Sequence, residues 1–198
     1  FRQCSLTHLG NGLAEVNQYE EALSVQERQF FEQSRIYPGD GIGPAFHPCT
    51  MTVMTCIANS HLALGHHDHA LGLHRCLLPG WVAEYGEEHE SLLLAACTLA
   101  GALITCGENS YHEARSLMQE KIPIAQRALG PDHIMTLRLR ARYARTMFWN
   151  DDAAFRSERL EAKAVLEDVV LRARRVHGPE HPGTKRFEKD LETASEVV

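Results

Sequence analysis

The sequence predicts an all-α fold of antiparallel helix pairs, repeated along the chain. Three observations predict it. A turn residue, then His, then a Thr or Ser opening a helix, returns four times. A large residue beside a small one returns in phase with that motif. Between these markers apolar residues recur at i, i+3, i+4 and i+7, and no stretch shows the strict alternation of a half-buried strand.

The histidine motif reads Gly43-Pro44-Ala45-Phe46-His47-Pro48-Cys49-Thr50, then Gly86-Glu87-Glu88-His89-Glu90-Ser91-Leu92. It returns as Gly130-Pro131-Asp132-His133-Ile134-Met135-Thr136-Leu137 and as Gly178-Pro179-Glu180-His181-Pro182-Gly183-Thr184. Successive histidines stand 42, 44 and 48 residues apart, and a steady period of this size marks a repeat array. The expected units are about 1–42, 43–85, 86–129 and 130–177, with a C-terminal capping helix over 178–198.

The large–small pairs are Leu9-Gly10, Ile57-Ala58, Leu99-Ala100 and Tyr143-Ala144; large beside small lets two helices approach closely. Seven residues after each small residue stands a turn position: Asn17, Gly65, Gly107 and Asp151. The second helix of each unit then offers an Ala at its tight crossing, Ala22, Ala70, Ala114 or Ala164. Insertions are expected at Asn109-Ser110 and over Asp152 to Arg159. Pro79 and Pro123 each lie nine residues after that Ala, and a kink or restart of the helix is expected there. Leu92, Ala95, Ala96, Leu99, Leu103 and Cys106 form an apolar stripe. Ala22, Val25, Gln26, Gln29 and Phe30 form a mixed one, and Leu160, Ala164, Leu166, Val169, Val170 and Val176 a third. Arg172, Arg174 and Arg175 favour a helix end.

The stretch from Leu9-Gly10-Asn11 through Tyr19-Glu20-Glu21-Ala22-Leu23 resembles a tetratricopeptide repeat. The period near 42 and the Gly-x-x-His-x-x-Thr-Leu linker resemble the longer repeats of the kinesin light chain family. The resemblance implies a right-handed superhelical solenoid whose first helices line a concave groove for a partner segment. It places groove positions at Thr7, Thr55, Cys97 and Ala141, at His8, Cys56, Thr98 and Arg142, and at Asn11, Asn59, Gly101 and Arg145. Several of these depart from the asparagines that kinesin light chains often carry, so cargo specificity is not carried over. The groove residues expected to meet a partner are Thr7, Asn11, Thr55, Asn59, Arg138, Arg142 and Arg145. The arginines suit acidic partner groups; the competing reading is a solvated helix face.

The charge balance, 20 Lys and Arg against 26 Asp and Glu for a net charge of −6, argues against nucleic acid as the main partner. Arg138, Arg140, Arg142 and Arg145 are the local basic exception. No apolar run reaches the ~20 residues of a membrane span, and Leu92 to Cys106 reads as a buried helix. The sequence opens inside a helical pattern at Phe1-Arg2-Gln3-Cys4, without a starting Met, and reads as a fragment or processed product. Cys4, Cys49, Cys56, Cys76, Cys97 and Cys106 form no C-x-x-C pair and read as reduced, structural thiols suited to a reducing intracellular compartment.

His61, His66, His67, His69 and His74 crowd one segment with Asp68. Such tracts bind zinc or nickel in some proteins, but His66 to His69 fall at a turn, so no metal site is assigned. His47, His89, His133 and His181 sit in different units, which favours capping over acid–base chemistry. No nucleophile elbow, zinc-protease helix, phosphate loop or dinucleotide fingerprint is present; Gly39 to Pro44 reads as an inter-unit loop, and Trp81 and Trp149 as packing residues or partner anchors. No catalytic residue and no cofactor are assigned. The expected function is a non-enzymatic protein or peptide-binding scaffold, either a free adaptor or an accessory subunit of a larger complex. The alternative is the regulatory repeat region of a larger nucleotide-dependent signalling enzyme. Stoichiometric metal in untagged protein would favour a third reading, a histidine-rich metal binder.

Overall fold

The computed structural model describes residues 9–10, 12–14, 16–36, 47–107, 110–148 and 156–197. Cys4, Thr7, His8, Asn11, the Gly39 to Pro44 loop, Trp149 and Asp151 lie outside them. The principal helices are α1 (Tyr19–Ile36), α2 (Pro48–Ala63), α3 (His67–Tyr85), α4 (Glu90–Cys106), α5 (Tyr111–Ala128), α6 (Ile134–Arg145), α7 (Arg156–His177) and α8 (Pro182–Val197), and no strand occurs among the described residues. The chain forms two compact units, Phe1–Glu87 and Glu88–Val198.

In the first unit α2 packs against α1 and α3. The small residue of each large–small pair is at the crossing, as expected. Ala58 is fully buried, and Gly10 is also buried, where an added Cβ would stand 3.1 Å from Cγ of Gln26. The mixed stripe of α1 buries Ala22, Gln26, Gln29 and Gln33. A buried amide must find partners, and Ser60 Oγ donates to Gln26 Oε1 at 2.8 Å. Between helices, Asn17 and Gly65 adopt the left-handed backbone that a sharp reversal needs, with φ of 63° and 79°.

In the second unit α4 packs on α5 and α6, α6 packs on α5, α7 and α8, and α7 packs on α8. α4 buries ten residues, Leu92, Leu93, Ala96, Cys97, Leu99, Ala100, Gly101, Ala102, Leu103 and Ile104, which leaves little of it for water. Among the described residues no helix is long and apolar enough to cross a membrane. Leu137, Ala141, Ala144, Leu166, Val169, Val170 and Phe187 form the core shared by α6, α7 and α8.

Three expectations are corrected. The crossing Ala of α7 is Ala162, fully buried, whereas Ala164 is exposed; Leu160 and Val176 are each 50% exposed. The buried set Ala162, Leu166, Val169, Val170 and Ala173 keeps i, i+4, i+7, i+8 and i+11 spacing, and Ala164 falls outside that arc. Secondly, of the kink or restart expected at Pro79 and Pro123 the restart does not occur: α3 and α5 each run through the proline as one helix. Burial of Leu77, Gly80 and Trp81 around one proline, and of Lys121 and Ala125 around the other, holds each helix through the lost hydrogen bond. Lastly, Cys49 and Cys76 are exposed rather than core thiols, while Cys97 is buried. Burial pushes the Cys56 thiol above its ordinary pKa.

The repeated histidines act as helix caps. Nδ1 of His47, His89, His133 and His181 accepts from the backbone N–H two residues on, at 3.2, 3.1, 3.3 and 3.1 Å. Accepting through Nδ1 leaves the ring proton on Nε2 and satisfies one of the orphan donors of the first turn. In the third copy the whole motif is engaged: Gly130 turns the chain at φ 96°, His133 caps, and buried Thr136 donates through Oγ1 to the Gly130 carbonyl at 2.8 Å. Substituting His133→Ala should cost about 0.5–2 kcal/mol in chemical denaturation. His133→Asn, which keeps a side-chain acceptor, should recover most of it; equal losses for both would show that the ring packs rather than caps.

Candidate functional site

Within the second unit the first helices α4 and α6, with α8, frame a cavity of about 150 Å³. It is lined by Leu94, Cys97 and Thr98 from α4, Arg138, Ala141 and Arg142 from α6, and Arg186, Phe187 and Asp190 from α8. Four of these, Cys97, Thr98, Ala141 and Arg142, are groove positions of the repeat phase. α6 carries Arg138 and Arg142 one turn apart, which puts both guanidinium groups on one face. Gly101 makes room for Arg142: a Cβ there would stand 3.2 Å from Cζ and from Nη2 of that arginine.

The cavity is short of negative charge. Arg145 reaches Asp190 at 3.9 Å, while Arg138, Arg142 and Arg186 form no ion pair among the described residues. Burial, and then the nearby Arg142 charge, pull the pKa of both Arg145 and Arg186 below the ordinary arginine value, with Asp190 opposing. Like charges crowded in this way are stabilised by an added anion.

Arg140 does not belong to this face. It pairs with Asp168 at 2.7 Å, in a chain that continues through Arg172 to Asp132 and Arg175. Hydrogen bonding to Arg172 holds the Asp132 carboxyl below its ordinary pKa. At Asp168 burial pushes the other way, but hydrogen bonds from Arg140 and Arg172 outweigh it. Arg174 binds Glu188 at 2.6 Å. These arginines, which the sequence presents as helix-end charges, tie α7 to the linker before α6 and to α8.

The other expected groove residues fall in the first unit. Asn59 is exposed on α2, and Thr55, one turn earlier, spends its hydroxyl proton on the Met51 carbonyl at 2.9 Å. The crowded histidines separate by role. His61 Nδ1 lies 3.2 Å from His66 Nδ1, and His69 stacks on His61 with ring centres 5.6 Å apart. Burial first, then His66 and His69, lower the pKa of His61 against Glu27. His74 is instead part of the core at 4% exposure. Among the described residues no group of three or more His, Cys, Asp or Glu is arranged to hold a metal ion.

Sequence reasoning places Arg186, Phe187 and Asp190 only within a capping helix and misses their part in the cavity. The repeat phase does locate two of them. Arg186 lies five residues after His181 as Arg138 lies five after His133, and Asp190 matches Arg142 at nine.

Paired helices that repeat with a fixed linker, and that present a groove face with no catalytic constellation assigned to it, define a helical-repeat protein. The tetratricopeptide repeat family model matches residues 94–134 and 156–183. These stretches are tetratricopeptide repeats, and the all-α fold is that of kinesin-light-chain-like repeat proteins. The fold is similar to crystal structures of a Podosopora anserina kinesin light chain protein with nearly identical TPR-like repeats, and of a single-substitution variant of it. Each is 21% identical with a TM-score of 0.72, over 99% of this chain and 86% of that one. BtubC (BKLC) from P. vanneervenii is similar at 12% identity and a TM-score of 0.56, over 97% and 78%. No curated protein sequence matches. The tetratricopeptide repeat is a protein-interaction unit, and the two matched stretches support a repeat scaffold of that kind.

Proposed function

We propose that this chain is a non-enzymatic scaffold that holds a partner segment against the α4, α6 and α8 face of its second unit. The segment carries negative charge that the arginines meet. One observation carries the reading: three arginines line the cavity with a single carboxylate among them. Apolar Leu94, Ala141 and Phe187 line the same cavity, and such a mixture suits a side chain with an apolar stem and an anionic head. In the first unit, Thr7, Asn11, Thr55 and Asn59 are further proposed partner-binding positions by their place in the repeat, and Asn59 is exposed on α2. The chain works as a free adaptor or as an accessory subunit, and solution behaviour separates the two: a free adaptor is a well-behaved monomer, a built-in subunit copurifies with its complex.

The test is affinity capture on the intact chain, identification of the bound protein, and titration of that protein against Arg142→Met and Arg186→Met. Each variant should bind roughly tenfold or more weakly, with a shallower salt dependence. Unchanged affinity in both variants would remove the arginine face from the interaction.

A further inference from the structure

The charge count at the cavity goes further than a generic acidic contact. We propose that the pocket formed by Arg138, Arg142 and Arg186 is a dianion site, taking the phosphate of a phosphorylated serine or threonine on the partner segment. The inference rests on the partner-binding reading above.

Four guanidinium groups, those three and Arg145, gather around one internal carboxylate, Asp190. Asp190 is already engaged with Arg145. A partner carboxylate brings one further charge and two oxygens, and so leaves two positive charges uncompensated. A phosphate monoester brings about −1.5 to −2 at neutral pH and three acceptor oxygens. It can offer a separate oxygen to each of the three arginines that have no ion pair of their own among the described residues. The lining supports the same choice. α6 supplies two of the arginines from consecutive turns, α8 supplies the third, and Gly101 of α4 gives the Arg142 guanidinium the room it occupies. Two helices therefore bring donors to one cavity walled by α4, and at about 150 Å³ it is large enough for a phosphate group with its first methylene.

The free side-chain analogues are the probes. The intact chain is titrated with N-acetyl-phosphoserine amide, N-acetyl-glutamate amide and inorganic phosphate, while the arginine Nε–Hε resonances are followed by NMR. The phosphoserine amide should shift the resonances of Arg138, Arg142 and Arg186 with at least tenfold tighter affinity than the glutamate amide, since an extra unit charge acts at contact distance. Arg142→Met and Arg186→Met should each weaken it fivefold or more, with the circular dichroism spectrum unchanged. Equal affinity for the phosphoserine and glutamate amides overturns the dianion inference and leaves the partner-binding reading standing. Inorganic phosphate binding as tightly as the phosphoserine amide overturns the assignment to a side chain and makes the ligand a free anion. Phosphatidylserine vesicles that shift the same resonances more strongly than the phosphoserine amide overturn it in favour of a membrane surface. The partner-binding reading falls separately, if the captured protein ignores both arginine variants.

Discussion

Phe187→Ala should destabilise the second unit by about 3–5 kcal/mol, the range for emptying an aromatic site in a packed core. Phe187 is 2% exposed and belongs to the core cluster with Leu137, Ala141, Leu166 and Val170. It is the largest buried side chain that α8 contributes, so its loss removes the main apolar hold of that helix on its neighbours. The neighbours cannot easily close the space, because α7 is also tied to α6 by Arg140–Asp168 and to the preceding linker by Arg172–Asp132. Hydrogen exchange is the informative measurement. Amides of α6, α7 and α8 should lose protection, while those of α1 to α3 in the first unit change little. Phe187→Leu, which keeps most of the volume, should lose less than half as much. Protection of α8 equal to that of the parent would show that its ion pairs, and not Phe187, hold the helix. The same substitution removes one wall of the arginine cavity, so partner affinity should fall with it.

Acid should weaken the first unit through His74. Its ring sits in the core stripe of α3 with Ala70, Leu71, Leu77 and Trp81, and its Nε2 has no hydrogen-bond partner among the described residues. Burial pushes its pKa down to about 4 from the ordinary 6.5. The sign follows from proton counting. Above pH 6.5 neither the folded nor the unfolded chain protonates this ring, and its contribution is fully present. Between 6.5 and about 4 the unfolded chain binds a proton that the folded chain refuses, so stability falls as pH falls. Below about 4 both states are protonated and the loss levels off, at roughly 3 kcal/mol in all. His74→Met should flatten this limb and raise stability at about pH 5, since it replaces a buried unsatisfied ring with an apolar side chain. Urea denaturation at about pH 7, 6 and 5 checks it. A slope in the His74→Met variant equal to that of the parent would place the acid sensitivity elsewhere.

Much of the fold was legible because its markers are backbone events with narrow residue requirements. Asn17, Gly65 and Gly107 stand where the chain must take a positive φ, and few residues tolerate that. Ala58, Ala100 and Ala144 stand where two helices nearly touch, and only a small side chain fits. The capping histidines repeat because each opens its helix in the same way, three of them after a glycine with positive φ, Gly86, Gly130 and Gly178. The misread elements lack such requirements. In α7 both Ala162 and Ala164 suit a crossing, and the face that turns inward is set by what packs on it. The prolines signal an interruption, but buried neighbours on either side hold α3 and α5 through it.

The candidate site was legible in part for a similar reason. Arg138, Arg142 and Arg145 share a helix, and helical spacing alone puts them on one face. Which of them remains open to a partner depends on carboxylates from far along the chain. Asp168 takes Arg140, Asp190 engages Arg145, and Arg186 joins the cavity from α8. By itself the sequence determined the helices, their pairing and their caps, because these depend on neighbours within one or two turns. The tertiary structure decided which of the crowded histidines is core, and which arginines are spent on ion pairs. Burial and charge compensation depend on side chains brought together from distant helices, and no local pattern encodes that.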